Sequence, residues 1–134
     1  MEKVLLYSED EMKAAAISGL CNELHISFRR LKRSDLGSMV VSLVSPAIDP
    51  IRSKKTSVPA IYAQPEIMIM SGFEDGKLDM YLAAYKNREI EPVRLKAVLT
   101  PYNCMWSVYE LTQELESLLP SVFPFTISVR MKRP

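Results

Sequence analysis

The chain has 134 residues, of which 48% are hydrophobic and 25% are charged, values that are ordinary for a globular protein and argue against extended disorder. Its 17 basic and 16 acidic side chains leave a net charge of +1, whereas nucleic-acid-binding domains usually carry a large basic excess. No apolar run approaches the roughly 20 residues of a membrane-spanning helix. We therefore expect neither a nucleic-acid partner nor insertion into a membrane.

The cysteine and histidine content argues against disulfides and metal. Two cysteines, Cys21 and Cys104, are too few for a disulfide framework, and the N-terminus enters an apolar strand without the longer apolar region of a signal peptide. The one histidine, His25, belongs to no Cys/His cluster with metal-binding spacing. We expect a cytoplasmic protein without a metal site or another cofactor.

The first half, residues 1–44, is predicted to form a β-α-β-α unit. A short apolar strand ends at Tyr7, and Ser8 and Glu11 then have the spacing of a capping box, which predicts a helix over residues 9–24. A second strand is predicted over residues 26–31, followed by a short helix that Ser34 or Asp35 would cap.

Residues 45–65 lack a helical or strand pattern. They contain several prolines, among them Pro46, Pro50 and Pro59, and few large polar side chains. An unpatterned connection of this length is uncommon inside a compact domain and tends to be functional or mobile. We interpret it as a mobile flap or linker rather than as a binding loop.

The second half, residues 66–119, repeats the order of the first. An apolar strand at residues 67–70 precedes a helix that Asp75 would cap and that ends near Asn87, and the next strand begins at Val93. Either an internal duplication or two unrelated β-α-β units would give this similarity. Both explanations predict parallel strands joined by right-handed crossovers.

The last helix has a clear start. Ser107 and Glu110 form a capping box, Trp106 and Leu111 occupy the staple positions, and Pro120 would end the helix. Within residues 120–134, the alternation from Phe123 to Met131 predicts an edge strand with one buried face. The fold expected for residues 1–134 is a single α/β domain with a mainly parallel sheet of about five strands, helices on both faces and a C-terminal edge strand.

The expected binding site follows from the sheet. In open parallel sheets, ligands bind beyond the carboxyl ends of the strands where the strand order reverses, here between the first and third strands. Helix N-termini at that edge offer amide groups to a small polar or anionic ligand. The side chains that would line this crevice are those of Ser8, Asp10, Ser71, Gly72, Thr100, Asn103 and Trp106.

Each of these residues also has a purely structural explanation. Ser8 and Asp10 favour a helix start, Ser71 and Gly72 a tight turn, and Thr100 and Asn103 a turn held by its own side chains. No catalytic constellation is recognisable, so no catalytic residue is predicted. We favour a non-enzymatic binding or regulatory module; the alternatives are a homodimer formed through the C-terminal strand, or an enzyme that uses Asp10, Cys104 or His25.

One segment resembles a known family. Residues 95–101 read L-K-A-V-L-T-P, with Asn103 and Trp106 following at the family's spacing. Residues 65–118 resemble the bacterial domain-of-unknown-function family that carries an L-K-A-V-L-T-P-x-N-x-x-W segment, although Ser107 stands where the family has threonine. The resemblance implies a bacterial cytoplasmic α/β protein without an assigned activity.

Overall fold

The computed structural model describes residues 2–45, 55–101, 103–118 and 127–130. The strands are β1 (Lys3–Tyr7), β2 (Ser27–Arg30), β3 (Ile67–Ser71), β4 (Leu95–Val98) and β5 (Ile127–Arg130). The helices are α1 (Glu11–Glu23), α2 (Val40–Val44), α3 (Asp75–Asn87) and α4 (Val108–Ser117), and a 3-10 turn at Arg33–Asp35 precedes α2. Pro120 and the predicted strand residues Phe123 and Met131 lie outside the described residues.

The strands form one open, mixed sheet in the order β2-β1-β3-β4-β5. Each half of the chain is internally parallel, since β1 pairs with β2 and β3 with β4 in parallel, and β5 continues parallel to β4. The two halves meet in an antiparallel pair, in which Tyr7 lies opposite Ile67 and Lys3 opposite Ser71. The α/β class is therefore confirmed, whereas the expected mainly parallel sheet is not matched exactly, and the expected common direction of β1 and β3 is wrong.

The connection between β2 and β3 explains this reversal. α2 ends beside the start of β1, where Lys3 Nζ donates a hydrogen bond to the Val44 carbonyl oxygen. The later part of the connection then runs back towards the opposite end of the sheet, and Gln64 Nε2 reaches Thr112 Oγ1 on α4. β3 consequently enters the sheet where β1 finishes. The two β-α-β units therefore lie side by side in one sheet with their strands running in opposite directions.

Residues 55–65, within the segment interpreted as a flap or linker, contact the rest of the protein at several points. The Thr56 amide donates a 2.7 Å hydrogen bond to the Gly37 carbonyl oxygen. The guanidinium of Arg33 donates to backbone carbonyl oxygens between Pro59 and Tyr62. The Tyr62 ring meets the Tyr109 ring of α4 edge to face, with centroids 4.8 Å apart.

Successive apolar side chains along β1 and β3 point to opposite faces of the sheet, so both faces are buried. On one face, α2 and α4 cover a cluster that includes Leu5, Ile69, Leu95 and Leu111. On the other face, α1 and α3 cover a cluster that includes Leu6, Ile17, Met68 and Tyr81. None of the helices in the described ranges has both the length and the apolar character needed to cross a membrane.

Two of the predicted helix N-caps differ from those in the structure, and a third is confirmed. Asp10, not Ser8, is the N-cap of α1, and its Oδ1 accepts a 3.0 Å hydrogen bond from the Lys13 amide. Asp75 is the first residue of α3 rather than its cap. Ser107 caps α4 as predicted, and Glu110 completes the capping box by accepting a hydrogen bond from the Ser107 amide.

Candidate functional site

The antiparallel contact between the two halves divides the residues predicted to line one crevice. Ser8 and Asp10 follow β1, whereas Ser71 ends β3 and Gly72 follows it at the opposite end of the sheet, because Ser71 lies opposite Lys3. Thr100, Asn103 and Trp106 follow β4, which is parallel to β3, so they lie at the same end as Ser71. The structure therefore does not bring these seven residues together, and the lining expected for a crevice between the first and third strands is divided between the two ends of the sheet.

Where β3 and β4 finish, the predicted residues build turns. Gly72 has a φ of 78°, the left-handed conformation that favours glycine in a tight turn. Asn103 Oδ1 accepts a 2.9 Å hydrogen bond from the Thr100 amide, and Asn103 Nδ2 donates to the Val98 carbonyl oxygen. Asn103 is fully buried, so its amide group stabilises the turn after β4 and is closed to a ligand.

Trp106 joins this turn to the helical layer. Its side chain is partly buried against the core cluster beneath α2 and α4. Its backbone carbonyl oxygen accepts a 2.8 Å hydrogen bond from the Val40 amide at the start of α2. Trp106 thus has a packing role, which agrees with the structural explanation of this residue as part of a hydrophobic staple.

Where β1 finishes, Ser8 meets Glu66, the residue that precedes β3. Ser8 Oγ donates a hydrogen bond to Glu66 Oε2 and accepts one from the Asp10 amide at 3.1 Å. Lys13 Nζ lies 2.7 Å from Glu66 Oε1 and also donates to the Pro92 carbonyl oxygen. Neither Glu66 nor Lys13 was predicted as a site residue, because Glu66 meets Ser8 and Lys13 only through the direction in which β3 enters the sheet.

A crevice opens beyond the carboxyl ends of β1 and β2. This β1–β2 crevice has a volume of about 450 Å³. Its lining residues come from the ends of the two strands and from the start of α1: Tyr7, Ser8, Glu9, Glu11, Arg30, Leu31 and Lys32. It differs from the crevice predicted between the first and third strands, and of the predicted residues it includes Ser8.

Arg30 is the fixed charged group of the β1–β2 crevice. Its Nη2 donates a 2.6 Å hydrogen bond to the Ser8 carbonyl oxygen, and its Nη1 donates another to Glu11 Oε2 at 2.6 Å. The Glu11 side chain is 81% exposed, and that of Arg30 is 33% exposed. The hydrogen bond from Arg30 lowers the pKa of Glu11, and the same contact raises the pKa of Arg30.

A second cavity lies between α3 and β4 and has a volume of about 360 Å³. The residues that line this α3–β4 pocket are Leu82, Tyr85, Lys86, Ile90, Pro92 and Lys96. Lys96 Nζ lies 5.7 Å from the centroid of the Tyr85 ring, within the range of a cation–π contact. Burial lowers the pKa of the Lys96 ammonium because it removes water from the charged form.

The three residues suggested as catalytic groups, Asp10, His25 and Cys104, do not form a cluster in the structure. Asp10 caps the N-terminus of α1, whereas His25 follows its C-terminus, so a helix of 13 residues, about 20 Å long, separates them. Cys104 belongs to the turn after β4, and its carbonyl oxygen accepts a hydrogen bond from the amide of Val41 in α2. α2 packs on the face of the sheet opposite to α1, which carries Asp10 and His25 at its ends. In the described part of the chain, no three His, Cys, Asp or Glu side chains form a group able to hold a metal ion.

Comparison with known proteins identifies a similar domain family. The search of curated proteins found nothing similar, and neither did the search of solved structures. A family described as a domain of unknown function, DUF3783, matches residues 66–117, a range that runs from Glu66 through α3 and β4 to the end of α4 and includes the whole lining of the α3–β4 pocket. Residues 66–117 of this chain are thus similar to a domain family of unknown function.

Proposed function

We propose that this protein is a non-enzymatic binding module for a small zwitterionic ligand of the α-amino acid type, held in the β1–β2 crevice. The position of the crevice supports this proposal, because open α/β sheets bind their ligands beyond the carboxyl ends of parallel strands. Its volume of about 450 Å³ is also in the range of small-molecule sites.

The charges around the crevice favour a ligand that carries both signs. The lining contains two cations, Arg30 and Lys32, and two carboxylates, Glu9 and Glu11. A phosphate or a dicarboxylate would be repelled by the carboxylates at the start of α1, where Asp10 already caps the helix. A free amino acid offers one carboxylate to the cations and one ammonium to Glu9.

The pairing of Arg30 with Glu11 carries the proposal. The Ser8 carbonyl oxygen holds one side of the guanidinium, while the partner on the other side, Glu11, is 81% exposed. An ion pair with an exposed carboxylate contributes little free energy, so another anion can displace that carboxylate. The carboxylate of a ligand can therefore take the place of Glu11 and bind the guanidinium through two parallel hydrogen bonds.

Binding of free amino acids to the full chain tests the proposal. A thermal-shift screen of the twenty standard amino acids should identify a stabilising ligand, which is then titrated by calorimetry beside two analogues, one without its amino group and one without its carboxylate. We expect both analogues to bind at least about tenfold more weakly, since each loses a charge-assisted contact. Silence from all twenty amino acids contradicts the proposal.

Two arginine variants locate the site. Arg30→Met removes the guanidinium from the crevice and should weaken binding by about tenfold or more. The matched control is Arg94→Met, because Arg94 pairs with Glu116 at 3.7 Å and does not line the crevice. Equal affinities of Arg30→Met and the unmodified protein would show that binding occurs elsewhere.

A homo-oligomer built through β5 is the second candidate. β5 lies at one edge of the sheet and pairs with β4 on one side. In the described residues no strand pairs with its other side, and unpaired edge groups are the usual template for pairing between chains. Light scattering on the full chain over a range of concentrations tests this candidate, and a monomer at all concentrations contradicts it.

A further inference from the structure

The α3–β4 pocket has a different chemistry from the β1–β2 crevice. Three of its lining residues, Leu82, Ile90 and Pro92, are aliphatic, and Tyr85 adds an aromatic ring. Tyr85 is held in position because its hydroxyl donates a hydrogen bond to the Glu91 carbonyl oxygen. The pocket therefore presents a fixed apolar wall to any molecule that enters it.

The charged groups of the pocket are of one sign. Lys96 stands in the middle of β4, between the buried residues Leu95 and Ala97, and Lys86 lies on the exposed side of α3. Among the described residues that line the pocket, none carries a carboxylate. The two ammonium groups are therefore not neutralised by the lining of the pocket.

The surroundings of the Lys96 ammonium favour the binding of an anion inside the pocket. The ammonium nitrogen lies over the face of the Tyr85 ring, 5.7 Å from the ring centroid. A ring face compensates only partly for lost hydration, as the lowered pKa of Lys96 indicates. An anion that entered the pocket would provide a hydrogen-bonding partner for this ammonium group.

We propose that the α3–β4 pocket binds a small monocarboxylate with an apolar body. The carboxylate contacts Lys96, with Lys86 at the rim, and the apolar body packs against Leu82, Ile90 and Pro92. A polyanion such as a nucleotide would place further charges against aliphatic side chains without donors, at a desolvation cost that two lysines do not offset. The volume of about 360 Å³ is near the lower limit for ligand sites and fits a short acyl chain or a single ring.

Four probes of related structure test this assignment on the full chain: hexanoate, 1-hexanol, hexylammonium and acetate. Methyl NMR spectra follow the titrations and show whether the resonances of Leu82 and Ile90 shift. We expect hexanoate to bind at least about tenfold more tightly than each of the others, because it alone combines the charge with the apolar chain. Equal affinity of hexanoate and 1-hexanol, or no shift at Leu82 and Ile90, would overturn the proposal.

Substitution of the lysines adds a test that does not depend on the probe series. Lys96→Met keeps the length of the side chain and should weaken hexanoate binding by about 10- to 100-fold, the effect of losing a hydrogen bond to a charged group. Lys77→Met, on the neighbouring helix α3, is the control, since Lys77 pairs with Glu2 outside the pocket and its loss should leave the affinity unchanged. Unchanged binding by Lys96→Met would refute the role of Lys96.

A surface variant keeps the proposal testable if Lys96→Met does not fold. Lys86→Glu reverses a charge on the exposed side of α3, where a substitution has little effect on packing, and should weaken hexanoate binding but not 1-hexanol binding. Arg30→Met, in the β1–β2 crevice, should leave both unchanged, so the two proposed sites succeed or fail separately. Equal binding of hexanoate by Lys86→Glu and the unmodified chain would contradict the proposed carboxylate position.

Discussion

Ser8 and Glu66 face each other where β1 finishes and β3 begins, and Ser8 Oγ donates a 2.5 Å hydrogen bond to Glu66 Oε2. The same carboxylate accepts a hydrogen bond from Lys13, whose side chain is only 9% exposed. Glu66, immediately before β3, therefore links the second half of the chain to β1 through Ser8 and to α1 through Lys13. This contact therefore stabilises the antiparallel junction that sets the shape of the sheet.

Removal of the Glu66 carboxylate should destabilise the protein. Glu66→Ala leaves the nearly buried Lys13 ammonium with the Pro92 carbonyl oxygen as its remaining acceptor, and Ser8 loses its acceptor. Because Glu66 is partly exposed, we expect a loss of about 2 kcal/mol in the free energy of unfolding, less than for a fully buried pair. Urea denaturation followed by circular dichroism measures this difference.

The control for Glu66→Ala is a carboxylate in a looser ion pair. Glu116→Ala breaks a 3.7 Å contact with Arg94 at the surface and should have a smaller effect, because exposed pairs contribute little. Equal losses for the two variants would mean that the Glu66 contacts do not stabilise the junction.

Gly37 is required for the close approach of the returning segment. A Cβ atom added at Gly37 would lie 2.3 Å from the Thr56 carbonyl oxygen, a backbone atom that cannot move without displacing residues 55–65. We expect Gly37→Ala to lower the free energy of unfolding by about 1–3 kcal/mol. Gly19→Ala is the matched control, since a Cβ atom there meets nothing within 4 Å and alanine in α1 should stabilise by about 0.5–1 kcal/mol. Thermal unfolding of both variants measures the contrast, and a neutral Gly37→Ala would contradict it.

Local patterns predicted the elements of the fold better than their direction. Short continuous apolar runs located β1 and β3, and the capping box of Ser107 and Glu110 located the start of α4, because these signals depend on neighbours a few residues apart. The orientation of β3 depends instead on residues 55–65, which carry no periodic pattern and are positioned by tertiary contacts such as that of Gln64 with Thr112. The sequence therefore indicated two β-α-β units but not their antiparallel contact.

The candidate sites were predictable to a smaller extent. Ser8 was identified from its position after a strand, and it does line the β1–β2 crevice. Glu66 and Arg30 meet Ser8 only after folding, so no local spacing indicated them. Lys96 could have been noticed, because a lysine between Leu95 and Ala97 interrupts an apolar strand, and an isolated charge there calls for an explanation.

The capping box of α4 should make part of the stability dependent on pH. A hydrogen bond from the Ser107 amide lowers the pKa of Glu110 below its ordinary value of 4.5. A depressed pKa in the folded state gives a contribution to stability that is present above the unfolded pKa and is lost as the pH falls through the folded pKa. We expect Glu110→Gln to lower the melting temperature at pH 7, and this difference from the unmodified protein to disappear as the pH falls from about 5 to below the folded pKa.

Glu114→Gln provides the comparison on the same helix, because Glu114 is exposed and takes no part in the capping box. It should change the melting temperature little across the same pH range. A pH-independent difference for Glu110→Gln would show that the charge of Glu110 does not stabilise the start of α4.

The two cysteines should differ in reactivity in the folded protein. Cys21 is fully buried on the inner face of α1, and burial raises the pKa of its thiol to about 11, so the reactive thiolate is scarce and inaccessible near neutral pH. Cys104 is partly exposed in the turn after β4. We expect one thiol per chain to react promptly with a disulfide reagent at pH 8, and the second only after denaturation. Cys104→Ser should abolish the prompt reaction and Cys21→Ser should preserve it; two prompt thiols in the folded, unmodified chain would contradict the close packing of α1 on the sheet.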